Sequence, residues 1–308
     1  MNISQLTALS IWMGLFHVNL VILLVELYFL PHPGAFACLF IHILLGFWPR
    51  ITFPRWGESL AGWVVTVAHD YFPLTMQCED ENAFKADKPY IIGLEPHAVL
   101  PVAICGFAEG GNILPAELNK KGRKIGHSSG AIFHVPLVRH LWSWLGLRSV
   151  SRSEMSKHLK KNRACILVPG GVQEIMYLDK EVETIFLRKR TGFVKLALQH
   201  GAPLVPAFAF GLHKTYSWAS LLPQSVMLKL SRFMGFAPLA FWGVCGGPLP
   251  QQHPIHIVLG KPIEVPTVAE PSKDEVQKYL DVFITAMEDI FEKNKDKMPD
   301  CPQKLKIL

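Results

Sequence analysis

The sequence predicts an α/β domain with a mixed or parallel sheet flanked by helices, preceded by an N-terminal helical hairpin that spans or re-enters a membrane. Three observations predict it. Four strand-length apolar runs, Tyr90–Leu94, Ala164–Val168, Leu204–Phe210 and Ile255–Leu259, are bounded by Gly and Pro and are mostly non-alternating, which suits strands buried on both faces. Helical patterns lie between them, as in a sheet covered by helices. The first 50 residues are almost wholly apolar. Residues 1–50 therefore read as the membrane hairpin and 51–308 as the α/β domain, with an apolar, membrane-associated region near 217–247.

From Leu6 to Leu30 only Glu26 carries a formal charge. At about 1.5 Å per residue this stretch can cross a bilayer core of about 30 Å. Pro31-His-Pro-Gly34 turns the chain, and Ala35 to Trp48 is a second apolar run, short for a full span. Lys and Arg are absent before Arg50, and Arg50 and Arg55 follow, which places the bulk of the protein on the cytoplasmic side. Ala35-Phe-Ala37 resembles a signal-peptidase site. The first ten residues, however, carry no positive side chain, the apolar segment is too long, and hydrophobicity continues past the cut.

The 308 residues are 50% hydrophobic, more than a soluble enzyme usually carries, with a net charge of +6 that favours anionic partners such as phosphate-bearing cofactors or an acidic membrane face. No basic run is interleaved with aromatic residues, so nucleic acid is not an expected partner. The six cysteines lie far apart, without a C-x-x-C pair or a His at metal-ligand spacing. They read as buried thiols in a reducing compartment, with neither disulfides nor a metal site.

Within the domain, Ser153–Lys161 has a helical pattern, and Thr191–His200 is a helix closed by Gly201. Ser272-Lys-Asp-Glu275 is a capping box, followed at three- and four-residue intervals by Val276, Tyr279, Leu280, Phe283, Met287, Ile290 and Phe291. This is a surface helix laid on a core. Ser217–Gly247, rich in Trp, Phe, Leu and Met, reads equally as core or as a second membrane-facing surface.

Chemistry is expected where two strand-like runs end. Tyr90-Ile-Ile-Gly-Leu-Glu-Pro-His97 closes on a carboxylate, a proline and an imidazole; Pro96 prevents the ladder from continuing. His97 can take a proton from an alcohol near neutral pH, and Glu95 can orient the ring. Ala164-Cys-Ile-Leu-Val-Pro-Gly-Gly-Val-Gln-Glu174 repeats the design. Gly170 and Gly171 allow close approach to the backbone, their amides could face an oxyanion, and Gln173 and Glu174 lie just beyond. A plain strand-to-helix turn with a solvated Glu174 reads equally well from the spacing. Gly126-His-Ser-Ser-Gly130 matches a nucleophile elbow, but the polar Lys120–Lys124 stretch before it and the unhelical segment after it argue against a serine hydrolase. Arg188-Lys-Arg190 precedes a helix N-terminus, which suits a phosphate-bearing ligand.

Together these residues resemble the type-2 diacylglycerol acyltransferase family, which includes monoacylglycerol and wax-alcohol acyltransferases. The resemblance covers nearly the whole chain. Tyr71-Phe-Pro73 is similar to the family's YFP, and Glu95-Pro-His97 to the EPH of its plant and algal branch, where animal members carry HPHG. Val135-Pro-Leu-Val-Arg-His140, Gly170-Gly-Val-Gln-Glu174, Arg190-Thr-Gly-Phe193 with Leu204-Val-Pro206, and Gly260-Lys-Pro-Ile263 match its later blocks. Ala98 stands where a serine often follows EPH, Val102 stands where glycerol-phosphate acyltransferases place an Asp, and the F-L-x-L neutral-lipid motif has no good match.

The resemblance implies a glycerolipid-acyltransferase-like fold in the endoplasmic reticulum membrane, with the catalytic domain facing the cytosol and an association with lipid droplets. It implies transfer from acyl-CoA, a co-substrate with no further cofactor, to diacylglycerol, with membrane lipids as further partners. A monoacylglycerol or fatty-alcohol acyltransferase, and a non-catalytic lipid-binding homologue, are the alternatives; self-association into a homo-oligomer is left open. On this reading His97 is the general base, Glu95 or Glu174 holds its ring, and amides near Gly170 and Gly171 meet the oxyanion. Gln173 lies on the substrate side, and Arg139, Arg188 and Arg190 meet the CoA phosphates. Lys304 and Lys306, five and three residues from the end, match a dilysine retrieval signal.

Overall fold

The computed structural model describes residues 1–48, 54–108, 113–220, 222–234, 237, 239–298 and 300–308. Arg50, on which the orientation argument partly rests, lies outside the described residues.

Helix α1 (Ile3–Leu9) passes through a π-helical turn (Ser10–Gly14) into α2 (Leu15–Tyr28). Together they form one apolar helix of 26 residues, of which 28% of the most apolar window is buried. At ~1.5 Å per residue it is about 39 Å long, enough to cross a bilayer core of ~30 Å. His32 caps α3 (Pro33–Phe47), its ring nitrogen accepting from Gly34 N, and Pro33 opens that helix. Across the hairpin the buried Glu26 Oε2 and His42 Nδ1 lie 3.0 Å apart, so the one charge in the apolar run is paired.

The hairpin is fastened to the domain by polar bonds. Asn19 donates to the carbonyl of Pro136, and Arg139 Nη1 donates to the carbonyls of Leu45 and Gly46 at the end of α3. Helix α4 (Arg55–Tyr71) comes next, burying Ala61, Val64, Val65 and Ala68 and exposing Trp56 and Trp63.

The domain is built on a seven-stranded sheet, in the order β1 (Leu74–Cys78), β10 (Ile255–Leu259), β7 (Leu204–Phe210), β2 (Tyr90–Glu95), β5 (Ala164–Leu167), β3 (Lys124–Ser128) and β4 (Leu147–Ser149). All pairs are parallel except β10 with β7, so the sheet is mixed. The four expected strands are its centre. Strands β1, β3 and β4 escaped the sequence pattern because they are short, polar or at the margins. In particular, β3 does run into Gly126-His-Ser-Ser-Gly130, against the sequence reading of a polar, strandless approach. The chain then enters a 3-10 turn (Gly130–His134) rather than an α-helix.

Alternate residues of each strand serve different cores. Ile92, Leu94 and Ile166 pack under the N-terminal helices. Ile91, Cys165 and Leu167 pack under α7 (Arg152–Leu159), α8 (Gly192–His200) and α10 (Lys273–Asn294). Cys105, Cys165 and Cys301 are buried as expected, whereas Cys38 on α3 and Cys245 are exposed. Helix α10 has the expected capping box of Ser272 and Glu275 and lays Leu280, Phe283 and Met287 on the sheet, each fully buried. Such side chains contribute about 1.5–3 kcal/mol apiece. Gly93 has no room for a side chain, since a Cβ there would lie 2.7 Å from the Phe283 ring. Helix α8 ends at Gly201 with φ 55, the left-handed cap its glycine suggests.

Short α5 (Ala116–Asn119) and α6 (Val138–Trp144) connect the sheet margins. Strand β6 (Val182–Ile185) pairs in parallel with the C-terminal β11 (Lys304–Ile307). The two lysines of the dilysine pattern thus sit on a hydrogen-bonded strand, with their side chains exposed. Ser217–Gly247 folds as β8 (Ser217–Ala219), α9 (Gln224–Met234) and β9 (Ala240–Trp242). It is part core and part surface: Met227 packs on Ile175 and Met176, whereas Leu222, Val226 and Trp242 are exposed.

Candidate active site

β2 and β5 are adjacent and parallel, with Gly93 level with Leu167, so their carboxyl ends deliver Glu95 and Gly170 to one place. Gly170 N donates to Glu95 Oε1 at 2.7 Å. Glu174, on the 3-10 turn Gly171–Tyr177, reaches back: its Oε1 accepts from His97 N at 2.5 Å and its Oε2 from Phe186 N at 2.9 Å. Arg190 closes the network, donating to the Gly170 carbonyl at 2.6 Å with its guanidinium 5.1 Å from the Phe186 ring centre. The two corners are thus joined by three side chains. A Cβ at Gly170 would collide with the Glu174 carboxylate, and Gly171 has φ 58, so each glycine has its own steric reason.

Both carboxyls are fully buried. Burial pushes Glu174 up to about 7, against the pull of the two backbone N–H groups it accepts. Burial, and next the charge of Glu174, hold Glu95 well above the usual carboxylate range. Glu95 Oε2 meets no donor among the described residues. A protonated, uncharged Glu95 accounts for both facts, its Oε1 accepting from Gly170 N.

His97 follows the cis Glu95–Pro96 bond and is half-buried. Neither carboxylate touches its ring. Glu174 holds the His97 main chain, and the ring is oriented by the Ala98 carbonyl, 3.1 Å from Nδ1. That contact fixes the proton on Nδ1 and leaves Nε2 as a basic lone pair. Burial lowers the imidazole to about 4, so it is neutral at pH 7.

A single cavity of about 1760 Å³ passes His97. Two groups of its lining residues form a hairpin lobe (Phe16, Leu20, Leu23, Leu39, Ile43 and Phe47) and an α7–α8 lobe (the buried Met155, Leu167 and Leu196 with the exposed Arg152, Lys189 and Lys195); His97 and Gly171 line the same cavity. As the first residue of its turn, Gly171 has an amide that no carbonyl of that turn can reach.

The expected residues divide by what they touch. Glu95, His97, Gly170, Gly171, Glu174 and Arg190 come together. Gln173 is half-buried on the same turn. The Gly170 amide is committed to Glu95, which leaves it no hydrogen for an oxyanion. Arg139 is buried on the end of α3, and Arg188 donates to the Ile307 carbonyl of β11, so both serve the scaffold. The basic residues that line the cavity beside Arg190 are Arg152, Lys189 and Lys195, which the sequence reading passed over. Lys189 lay inside the noticed Arg188-Lys-Arg190 run, and Lys195 stands one turn along α8; helical spacing could have found it.

The family model for diacylglycerol acyltransferase matches residues 36–307. Human 2-acylglycerol O-acyltransferase 3 is 30% identical over 295 residues, covering 85% of this chain and 86% of the relative. Human diacylglycerol O-acyltransferase 2 is 31% identical over 266 residues, covering 79% and 67%. The diacylglycerol O-acyltransferase 2 of Dictyostelium discoideum is 30% identical over 245 residues, covering 75% and 73%. A solved 1-acyl-sn-glycerophosphate acyltransferase from Thermotoga maritima shares 13% identity with a TM-score of 0.44, over 91% of this chain and 98% of that one, too distant a likeness to bear on the site. With the motif blocks in order along the whole domain and a family match from residue 36 to 307, the chain belongs to the diacylglycerol acyltransferase family and is an acyltransferase.

Proposed function

We propose that this enzyme transfers a fatty acyl group from acyl-CoA to the free hydroxyl of diacylglycerol, releasing CoA and forming triacylglycerol. The observation that carries the reading is one cavity lined by apolar side chains of the hairpin, by the basic Arg152, Lys189, Arg190 and Lys195, and by the neutral imidazole of His97. An oil-borne alcohol and a phosphate-bearing thioester need such opposite surroundings, and their reacting ends must meet.

His97 Nε2 takes the proton of the acceptor hydroxyl as its oxygen attacks the thioester carbonyl. The Gly171 amide, in the lining that also holds His97, meets the tetrahedral oxyanion, and the nearby Arg190 guanidinium adds positive charge. Collapse breaks the C–S bond, and the imidazolium returns its proton to the departing sulfur. Lys189, Lys195 and the N-terminus of α8 suit the phosphates. The same proposal puts the hairpin of residues 1–50 in the endoplasmic reticulum membrane, the domain of 51–308 on the cytosolic side, and the exposed Leu222, Val226 and Trp242 against lipid, including droplets.

The test is expression in a cell lacking its own neutral-lipid synthesis, with products resolved by class. Triacylglycerol is expected, and wax ester in its place would overturn the acceptor. His97→Ala should cost roughly 10²–10⁴ in rate at unchanged protein level, and undiminished turnover would remove the mechanism. A second reading, monoacylglycerol as acceptor, is favoured by the 86% coverage of the human 2-acylglycerol O-acyltransferase 3. Acceptor competition in microsomes separates the two.

A further inference from the structure

We infer that His42, held by Glu26 on the hairpin, donates from Nε2 to an ester carbonyl of the acceptor lipid, and so selects acylglycerols over acceptors that lack an ester. This rests on an acylglycerol being the acceptor. Leu39, His42 and Ile43 follow one another at helical spacing on α3, and all three line the large cavity. The His42 side chain is 17% exposed, so a ligand in the cavity can reach it. Its Nδ1 lies 3.0 Å from Glu26 Oε2. Glu26 itself is buried and is not part of the lining, so the ring is what the cavity meets. Nε2 bonds to no described residue yet keeps accessible surface, whereas the unpaired nitrogens of His127 and His256 are sealed.

A net charge among apolar walls is costly, so the favoured form of the pair is the one with no net charge. That form holds two protons, one shared between Nδ1 and Oε2 and one on Nε2, because Glu26 has no second polar partner among the described residues. Whether the shared proton sits on nitrogen or on oxygen, Nε2 is a donor. The apolar walls of Leu20, Leu23, Leu39 and Ile43 offer it no acceptor. A fatty alcohol brings only the hydroxyl that His97 must deprotonate, and the carbonyl of the acyl donor is the one under attack. An acylglycerol brings ester carbonyls beside its reacting hydroxyl, on a body otherwise as apolar as those walls.

The experiment uses the full-length enzyme in microsomes and compares diacylglycerol with dialkylglycerol of the same chain length, in which a methylene replaces each ester carbonyl. Monoacylglycerol and its monoalkyl ether are run alongside, and the ratio is read on the better acylglycerol. The unmodified enzyme should use the ester about tenfold better than the ether, by kcat/KM. Glu26→Leu combined with His42→Phe removes the donor and its partner together, so no charge is left unpaired in the hairpin. It should bring ester and ether within about twofold of each other while leaving the KM for acyl-CoA unchanged. Glu26→Leu combined with His42→Gln, which returns an N–H donor, should recover most of the preference. A pair that only fastened the hairpin would slow both acceptors alike, and an unchanged ratio in the double variant would overturn the inference. Equal use of ester and ether by the unmodified enzyme would overturn it as well. Either result leaves the acyltransferase function standing, because transfer to the acylglycerol is measured in the same assay. Transfer to a fatty alcohol and to neither acylglycerol would remove the acceptor assignment and the inference with it.

Discussion

The two lobes of the cavity share one sheet edge but are made in opposite ways. The hairpin lobe is walled by apolar side chains from two helices close in sequence, and most of its polar atoms are spent on holding those helices: Glu26 on His42, Asn19 on Pro136, Arg139 on the end of α3. The lobe between α7 and α8 takes its walls and charges from β3, β5, both helices and the segment before α8, with Arg152, Lys189 and Lys195 in its lining. The comparison teaches how one strand can serve immiscible substrates. Side chains alternate across a sheet, so on β3 Gly126 faces Ile104 on the hairpin side while His127, the next residue, faces His158 on the other.

The sharpest break is at the two buried carboxyls that tie the strand ends together, Glu95 on Gly170 N and Glu174 on His97 N and Phe186 N. Glu174→Gln must set an amide NH₂ against the His97 or Phe186 N–H, leaving a buried donor unpaired. It should cost on the order of 2–4 kcal/mol in detergent melts and most of the activity. Glu95→Gln imitates the protonated carboxyl and keeps an acceptor for Gly170 N, and should stay within about 1 kcal/mol of the parent. Equal damage from the two would refute an uncharged Glu95.

Gly46→Ala attacks the hairpin lobe alone, because a Cβ there would run into the His134 carbonyl. It should cost about 1–3 kcal/mol and raise the KM for the acceptor lipid but not for acyl-CoA. The opposite split would exchange the assignments of the lobes.

A comparable effect depends on pH. Burial raises the carboxyl of Glu183 to about 8 and that of Glu174 to about 7. A folded-state value above the unfolded one means the folded protein binds the proton more tightly. That stability is fully present below about pH 4.5 and is lost as pH rises through 7 and 8. Glu183→Gln should therefore gain on the order of 1–3 kcal/mol over the parent at pH 8.5 and nothing at pH 4.5, read from melting curves. A gain of equal size at both would point to packing instead. The smallest effect belongs to Lys195→Gln in the lining of the other lobe, an exposed charge whose loss should raise the KM for acyl-CoA about threefold at low ionic strength and less in high salt.

Much of this was legible beforehand. The hairpin, the four central strands, the capped α10 and the residues at the two corners are local patterns of hydrophobicity and turn chemistry, written within a few neighbouring positions. What local patterns left open was the partner of a residue whose type was informative. Arg139 and Arg188 read as phosphate ligands by charge, and in the fold they donate to carbonyls at the end of α3 and on β11. In Gly126-His-Ser-Ser-Gly130, His127 Nε2 and Ser128 Oγ are both buried without a partner among the described residues, which no local pattern shows.

By itself, then, the sequence determined the four central strands, an N-terminal helix apolar and long enough to cross a bilayer, and that a histidine and a glycine pair stand at strand ends. The tertiary structure alone decided that Glu95 meets Gly170 across 75 residues of chain, that Glu174 meets His97 across 77, and that both carboxyls are buried. The physical reason is that protonation and pairing depend on burial and on contacts between strands distant in sequence, and no local pattern encodes either.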